Sequence, residues 1–173
     1  DALKKAGGTS AIVDKEITVD LAIVAAGPAG LAAAVTAAEK GLKVAVFEKQ
    51  SIAGGTANMG MGPLGINTKI QKAHFNEVSV KDALTKHMEY THYRVDADLV
   101  QTYFNLSADT IEWLEAMGVK FAGAFPYFTE SEATWHIVDN GRIGPGAAAP
   151  MNKAMAEKAE SLGVDFYFQT PVE

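Results

Sequence analysis

The segment LAIVAAGPAGLAAAVTAAEKGLKVAVFEK, Leu21 to Lys49, constrains the fold of this chain more than any other. From Leu21 to Ala38 it carries no charge, which leaves two physical readings: a membrane span, or the passage from a buried strand through a turn into a helix. A span needs about 18–20 apolar residues, a length this run barely reaches. Its texture favours the second reading. Leu21-Ala22-Ile23-Val24 is a short strand run, Gly27-Pro28-Ala29-Gly30 interrupts it, and the alanine-rich Leu31 to Lys40 suits a helix closed by Gly41. Lys43 to Glu48, KVAVFE, then reads as a second strand. Strand, glycine turn, helix and strand within about 30 residues form a βαβ unit. Its strands are continuously apolar because helices are expected over both faces.

A glycine turn at that point has a chemical use. The N-terminus of a helix presents unpaired N–H groups and partial positive charge, which suit a pyrophosphate. The dinucleotide fingerprint is G-x-G-x-x-G, and here it reads Ala25-Ala26-Gly27-Pro28-Ala29-Gly30, with alanine in the first place. Gly27 still allows close approach of phosphate to backbone, and Gly30 still allows the helix to pack tightly on the strand. Ala25 departs from the glycine that serves the tight turn. Glu48 ends the second strand about 20 residues further on, where a carboxylate accepts hydrogen bonds from ribose hydroxyls. An ordinary βα turn with no ligand is the competing reading of these residues alone.

The following residues shift the balance. Gly54-Gly55 comes a short distance after Glu48, and Thr56-Ala57-Asn58-Met59-Gly60-Met61-Gly62 continues a glycine-dense stretch. Such backbone can wrap closely around a bulky ligand, with the Thr56 hydroxyl and the Asn58 amide as polar contacts. A nicotinamide-dependent dehydrogenase does not need it, and that enzyme class is the first alternative. A structural fragment that binds no nucleotide is the second.

With IVAAGPAGLAAA, with FEK followed by AGGTANMGMG, and with ADTIEWLEAMGVKF, the sequence resembles FAD-dependent oxidoreductases of the fumarate reductase and succinate dehydrogenase flavoprotein family, which includes urocanate reductase and L-aspartate oxidase. The likeness runs from about Val19 through MNKAMAEKAESLGVDFYFQT. It implies an α/β fold with a Rossmann-like FAD-binding domain of the glutathione-reductase type, of which 17–173 would be the N-terminal part and 1–16 a linker or connecting segment. Ala26, Gly27, Ala29 and Gly30 would face the FAD pyrophosphate. Glu48 and Lys49 would meet the adenosine ribose region, and Gly54 to Gly62 the flavin side. Val172 matches a position whose backbone meets the adenine ring. Succinate dehydrogenase flavoproteins carry a histidine that bonds to the flavin in the segment after the second strand. Ser51 to Asn67 contains none, so FAD is expected to be non-covalent.

The resemblance further implies hydride transfer between flavin N5 and a carbon of an unsaturated or carboxylate-activated small-molecule substrate, with an electron-donor domain or protein as partner. In this family the capping domain and the proton-delivering arginine come later in the chain than these residues. The 173 residues, beginning at Asp1, are therefore expected to be an excised or processed opening portion, inactive alone, whose catalytic residues are not here to name.

Composition narrows the other classes. With 48% apolar residues the chain can bury one sizeable core. A formal charge of -6, a pI near 5.2 and no Lys/Arg run give no basic face, which argues against nucleic acid and anionic lipid as partners. Having no cysteine excludes disulfides, thiolate metal sites and a cysteine nucleophile, and leaves both cytoplasmic and exported locations open.

In the middle of the chain Ser79-Val80-Lys81-Asp82 is a helix start, and Asp96 caps a helix running to Gly118, with Ser107 and Asp109 as a candidate break. Leu99, Tyr103, Leu106, Ile111, Trp113, Leu114 and Met117 recur at helical spacing and read as core. His87 and His92 are five positions apart, off a common helix face, so no metal site is expected. His92-Tyr93-Arg94 reads as a surface knot. The stretch 123–150 reads as a long irregular loop, in which His136 is a candidate to line the flavin or substrate cavity, against ordinary loop packing.

Overall fold

The computed structural model describes residues 16–127, 131–141 and 143–173. Apart from Glu16, the expected linker lies outside them. Along the chain run β1 (Leu21–Val24), α1 (Pro28–Glu39), β2 (Val44–Phe47), a 3-10 turn (Gly55–Met59), α2 (Lys69–Ala73), α3 (Val80–Tyr90), α4 (Ala97–Ala116), β3 (Phe121–Phe125), β4 (Trp135–Val138), α5 (Ala149–Ser161) and β5 (Asp165–Tyr167).

The expected βαβ unit is present. α1 starts three residues earlier than the alanine run suggested, because Pro28 takes its first position, where a fixed φ and a missing N–H do no harm. β1 pairs in parallel with β2, Leu21 opposite Val44 and Val24 opposite Phe47. β5 joins the other edge of β2, also in parallel, with Ala45 opposite Asp165, so the sheet order is β1-β2-β5.

One face of this sheet carries the main core. Ile23, Val44 and Val46 project toward Leu31, Ala34 and Val35 of α1, and Met151, Met155 and Ala159 of α5 complete the cluster. Small alanines let α1 lie close to the sheet. Fully buried Leu31 contributes on the order of 2 kcal/mol by removal of apolar surface from water. The opposite face corrects the expectation of helices on both sides. There Val24 is 63% exposed and Ala22 is exposed, and Phe47 stacks on Tyr167 with ring centroids 5.2 Å apart.

α4 is one helix of 20 residues, uninterrupted at the candidate break of Ser107 and Asp109. Ser107 turns its hydroxyl to the carbonyl of Phe104 at 2.8 Å, inside its own helix, and accepts the N–H of Ile66 at 2.9 Å. Its buried face is Phe104, Ser107, Ile111 and Leu114. Leu99, Tyr103 and Leu106 point outward, 66%, 51% and 55% exposed, which corrects the core reading for those three. Both stripes have helical spacing, and packing against α3 and the 64–66 segment selects the one containing Phe104. Trp113 and Met117 pack, half-buried, on the main core.

The stretch expected to be irregular contains β4. Trp135-His136-Ile137-Val138 pairs antiparallel with β3, with a bulge between Phe121 and Gly123, as an aromatic and β-branched run can. Ser79 caps α3 and Asp96 caps α4, as expected. Among the described residues no helix is long and apolar enough to cross a membrane.

Candidate functional site

The site forms where β1 turns into α1. Ala25 sits at φ 76°, in the left-handed region that glycine occupies freely and alanine does not. Its N–H is bonded to the Phe47 carbonyl at 2.8 Å. The next peptide is fully used as well: Ala26 N–H donates to the Glu48 carboxylate at 2.7 Å, and its carbonyl accepts from Gly54 N–H at 2.7 Å. Gly27 then caps α1 with no side-chain hydrogen bond, so the first amides of the helix are left for a ligand or solvent. A Cβ on Gly27 would meet nothing within 4 Å, whereas one on Gly30 would stand 2.0 Å from the Ala25 carbonyl oxygen. Gly27 thus borders open space, and Gly30 allows the helix to touch the strand.

Glu48 is 4% exposed. Its second oxygen accepts the N–H of Gln50 at 2.8 Å. The Gln50 bond first and the Ala26 bond next, with the charge of Lys49 adding to them, outweigh burial and hold its carboxyl below the usual glutamate range. An ionised carboxylate has about four acceptor positions. Among the described residues the backbone N–H groups of Ala26 and Gln50 each take one, which leaves acceptor capacity for hydroxyl donors.

A cleft of about 800 Å³ runs from this turn across the ends of β2 and β5, within the range of about 300–1,000 Å³ for small-molecule sites. It brings together Gly27, Glu48, Lys49, Gly55, Thr56, Asn58, Met59 and Val172 from the sequence-expected set. Val172 reaches it because β5 continues along β2 by bonds from Glu48 N–H to Tyr167 and from Thr170 N–H to Glu48, both 2.9 Å. Seven of the expected residues are not on its wall. Ala26 and Gly54 are buried in the turn, and Gly30 faces the strand. Ala29 is exposed on the first turn of α1, and Ala57 is half-buried in the 3-10 turn. Gly60 accepts from Gly146 and Ala148 at the start of α5, both at 3.1 Å. Gly62 lies against β4, where a Cβ would be 1.9 Å from the His136 carbonyl oxygen.

The cleft also has walls that motif reading missed. Phe47, Gln50, Ser51, Ile52, Thr170 and Pro171 line it. The signal available was adjacency: each lies within three positions of Glu48, Gly54 or Val172. Ala25 lines it too, so the departure from the fingerprint puts a methyl group at the ligand side of the turn.

His136 lines neither this cleft nor its neighbour and has no exposed surface. Its Nε2 is 2.7 Å from the Thr68 hydroxyl, its Nδ1 is 3.0 Å from the Thr134 carbonyl, and the Phe121 ring meets it edge-on. Nδ1 therefore donates to Thr134 and Nε2 accepts from Thr68. Burial pushes its pKa down, opposed by the Thr134 carbonyl. The residue packs the hairpin onto the capping box of α2, formed by Thr68 and Gln71, which settles the loop-packing reading over the cavity one.

A family model described as FAD binding domain matches residues 20–173. Vinyl phenol reductase of Lactiplantibacillus plantarum is 35% identical over 156 residues, 90% of this chain and 30% of that protein. Urocanate reductase of Eggerthella lenta is 31% identical over 148 residues, 84% of this chain and 24% of that protein. The chain thus spans less than a third of either relative. The open conformation of a flavocytochrome c3 fumarate reductase superposes with a TM-score of 0.76 over 97% of this chain and 29% of that one, at 24% identity, which shows a shared fold.

Proposed function

The chain belongs to the FAD binding domain family, matched over residues 20–173, and from that premise we propose that it holds FAD non-covalently as part of a reductase that saturates an activated carbon–carbon double bond in a small substrate. FAD is the cofactor of the family, and the residues present fit it: an uncapped helix start with open space over Gly27, a carboxylate with spare acceptor positions, and a cleft joining the two. That joining of Gly27, Glu48 and Val172 in one cleft is the observation that carries the reading.

In this reading the first amides of α1, at Ala29 and Gly30, hold the pyrophosphate with help from the helix dipole. Glu48 accepts the ribose hydroxyls and stays ionised to do so. The backbone at Val172 meets the adenine ring, and the Gly54 to Gly62 segment, with the Thr56 hydroxyl, lies along the flavin side. When bound, FAD supplies the hydride exchange with the substrate carbon. The described residues supply binding and orientation, while proton delivery to the substrate and electron supply fall to other parts of the protein or to a partner. The relatives' names support the substrate class: fumarate and urocanate are unsaturated carboxylates. The vinyl phenol relative favours a second reading, in which a phenol activates the double bond.

The deciding experiment is an absorbance spectrum from about 300 to 550 nm, the region of the flavin bands, on the full-length protein carrying these residues, before and after FAD is added. Bound flavin bands, released into the supernatant on acid denaturation, are the expected result. No flavin binding overturns the reading, and flavin retained by the denatured chain overturns the non-covalent part of it.

A further inference from the structure

The Nδ2 of Asn152, on α5, donates a 2.8 Å hydrogen bond to the Oδ1 of Asn58, 94 positions earlier in the chain. We propose that Asn152 is a positioning residue for the cofactor, which acts through Asn58 to fix the Gly54–Gly60 loop at the edge of the cleft. The proposal rests on the reading of that cleft as the FAD site.

This loop has little packing of its own. Ser51, Ile52 and Asn58 border both the 800 Å³ cleft and a second cavity of about 680 Å³ against α5, so the segment is a partition with open space on each side. Ile52 and Met59 are more than half exposed. Hydrogen bonds set its position instead. Backbone bonds hold its ends, from Gly54 N–H to Ala26 and from Gly146 and Ala148 N–H to Gly60. Between them the Asn58 carboxamide is the side-chain tether: its Nδ2 donates to the Ala53 carbonyl at 2.8 Å, and its Oδ1 receives Asn152. Gly54, at φ 105°, makes room for that carboxamide, since a Cβ there would lie 2.1 Å from Asn58 Oδ1.

Asn152 is an odd choice for stability. It has no exposed surface, and its companions on the buried face of α5 are Met151, Met155 and Ala159. Its own Oδ1 has no partner among the described residues, and a buried acceptor left unpaired is destabilising. An apolar side chain of the same size would avoid that defect. What the carboxamide adds is a directed bond to a residue that lines the cleft.

The test compares wild type, Asn152→Leu, Asn58→Ala and the double variant in the full-length protein. FAD affinity is measured by quenching of flavin fluorescence, and melting temperature is measured on the FAD-free protein. The leucine variant removes the orphan acceptor together with the tether, so the FAD-free protein is expected to melt within a few degrees of wild type while the FAD dissociation constant rises about tenfold. Asn58→Ala, which touches no core position and also removes the bond to Ala53, is expected to give at least that rise, and the double variant no more than Asn58→Ala alone, because Asn152 acts only through Asn58. Faster hydrogen exchange at the Gly54 to Gly60 amides would accompany it. An unchanged dissociation constant in either single variant, or additive effects in the double, overturns the proposal. Failure of wild type to bind FAD overturns the cofactor reading and the proposal with it.

Discussion

The N–H of Ala26 lies 2.7 Å from the carboxylate of Glu48, 22 positions away, so the β1–α1 turn and the end of β2 are tied by a charged hydrogen bond buried from solvent. A second bond from Gln50 makes the same carboxylate the bolt of the cleft. Glu48→Gln leaves one acceptor in place and turns an NH2 group toward a backbone N–H. It is expected to cost about 2 kcal/mol at neutral pH, as for other hydrogen bonds to a charged group, read from urea denaturation.

The pH dependence of that loss follows from the same bonds. They hold the folded-state pKa of Glu48 below the ordinary value, which is about 4.3. On acidification the unfolded chain takes up its proton first, so the stability Glu48 contributes is complete above that value and is lost as the pH falls through the lower folded-state one. The gap between wild type and Glu48→Gln should therefore narrow only in that acid window. A gap that stays constant through it would show that Glu48 is not the bolt.

Gly27 and Gly30 separate folding from binding. Gly27 has φ -72° and ψ 176°, which any residue adopts, and empty space beside it. Gly27→Ala is expected to melt within a few degrees of wild type while binding FAD at least about tenfold more weakly, because the new methyl occupies the place of the phosphates. Gly30→Ala would drive a methyl into the Ala25 carbonyl oxygen at 2.0 Å. It is expected to lose at least about 3 kcal/mol of stability, as overpacking and backbone displacement do, read from the urea midpoint. Equal melting temperatures for the two variants would contradict this account.

Ala25 holds a left-handed conformation, φ 76°, in the place where the fingerprint has glycine. Relief of about 1–2 kcal/mol of strain, less about 0.4–1 kcal/mol for the added freedom of the unfolded chain, leaves Ala25→Gly more stable by roughly 0.5–1 kcal/mol. Because the lost methyl also faces the cleft, FAD affinity should hold or rise. A lower urea midpoint for Ala25→Gly would show that the methyl makes contacts that outweigh its strain.

His136 predicts acid sensitivity in a milder range. The groups that meet its ring, Thr68, the Thr134 carbonyl and Phe121, carry no charge, and burial holds its pKa below the ordinary value. Below about pH 6.5 the unfolded chain binds this proton while the folded protein resists it, so stability falls as pH drops from there through the folded-state pKa. In His136→Gln that component of the slope between neutral and mildly acid pH should vanish. An identical slope in both proteins would place the titrating group elsewhere.

Sequence alone determined the parts of this protein that rest on neighbouring residues. An uncharged strand run, a glycine-proline break and an alanine helix specified the βαβ unit, and Ser79 and Asp96 marked two helix starts, because strand pattern, turn and cap act within a few positions. The same local signals placed Gly27 and Glu48 at one site. Other features were decided by residues far apart in the chain. Two stripes of α4 had helical spacing, and the one containing Ser107 was buried when the N–H of Ile66, 41 positions earlier, came to its hydroxyl. His136 became a buried partner of Thr68, 68 positions away, instead of a cavity wall. The exposed face of β1, the Phe47 and Thr170 walls of the cleft and the Asn58–Asn152 tether likewise belong to packing. Propensity and capping act over one turn of chain, whereas burial depends on which distant surface arrives against it.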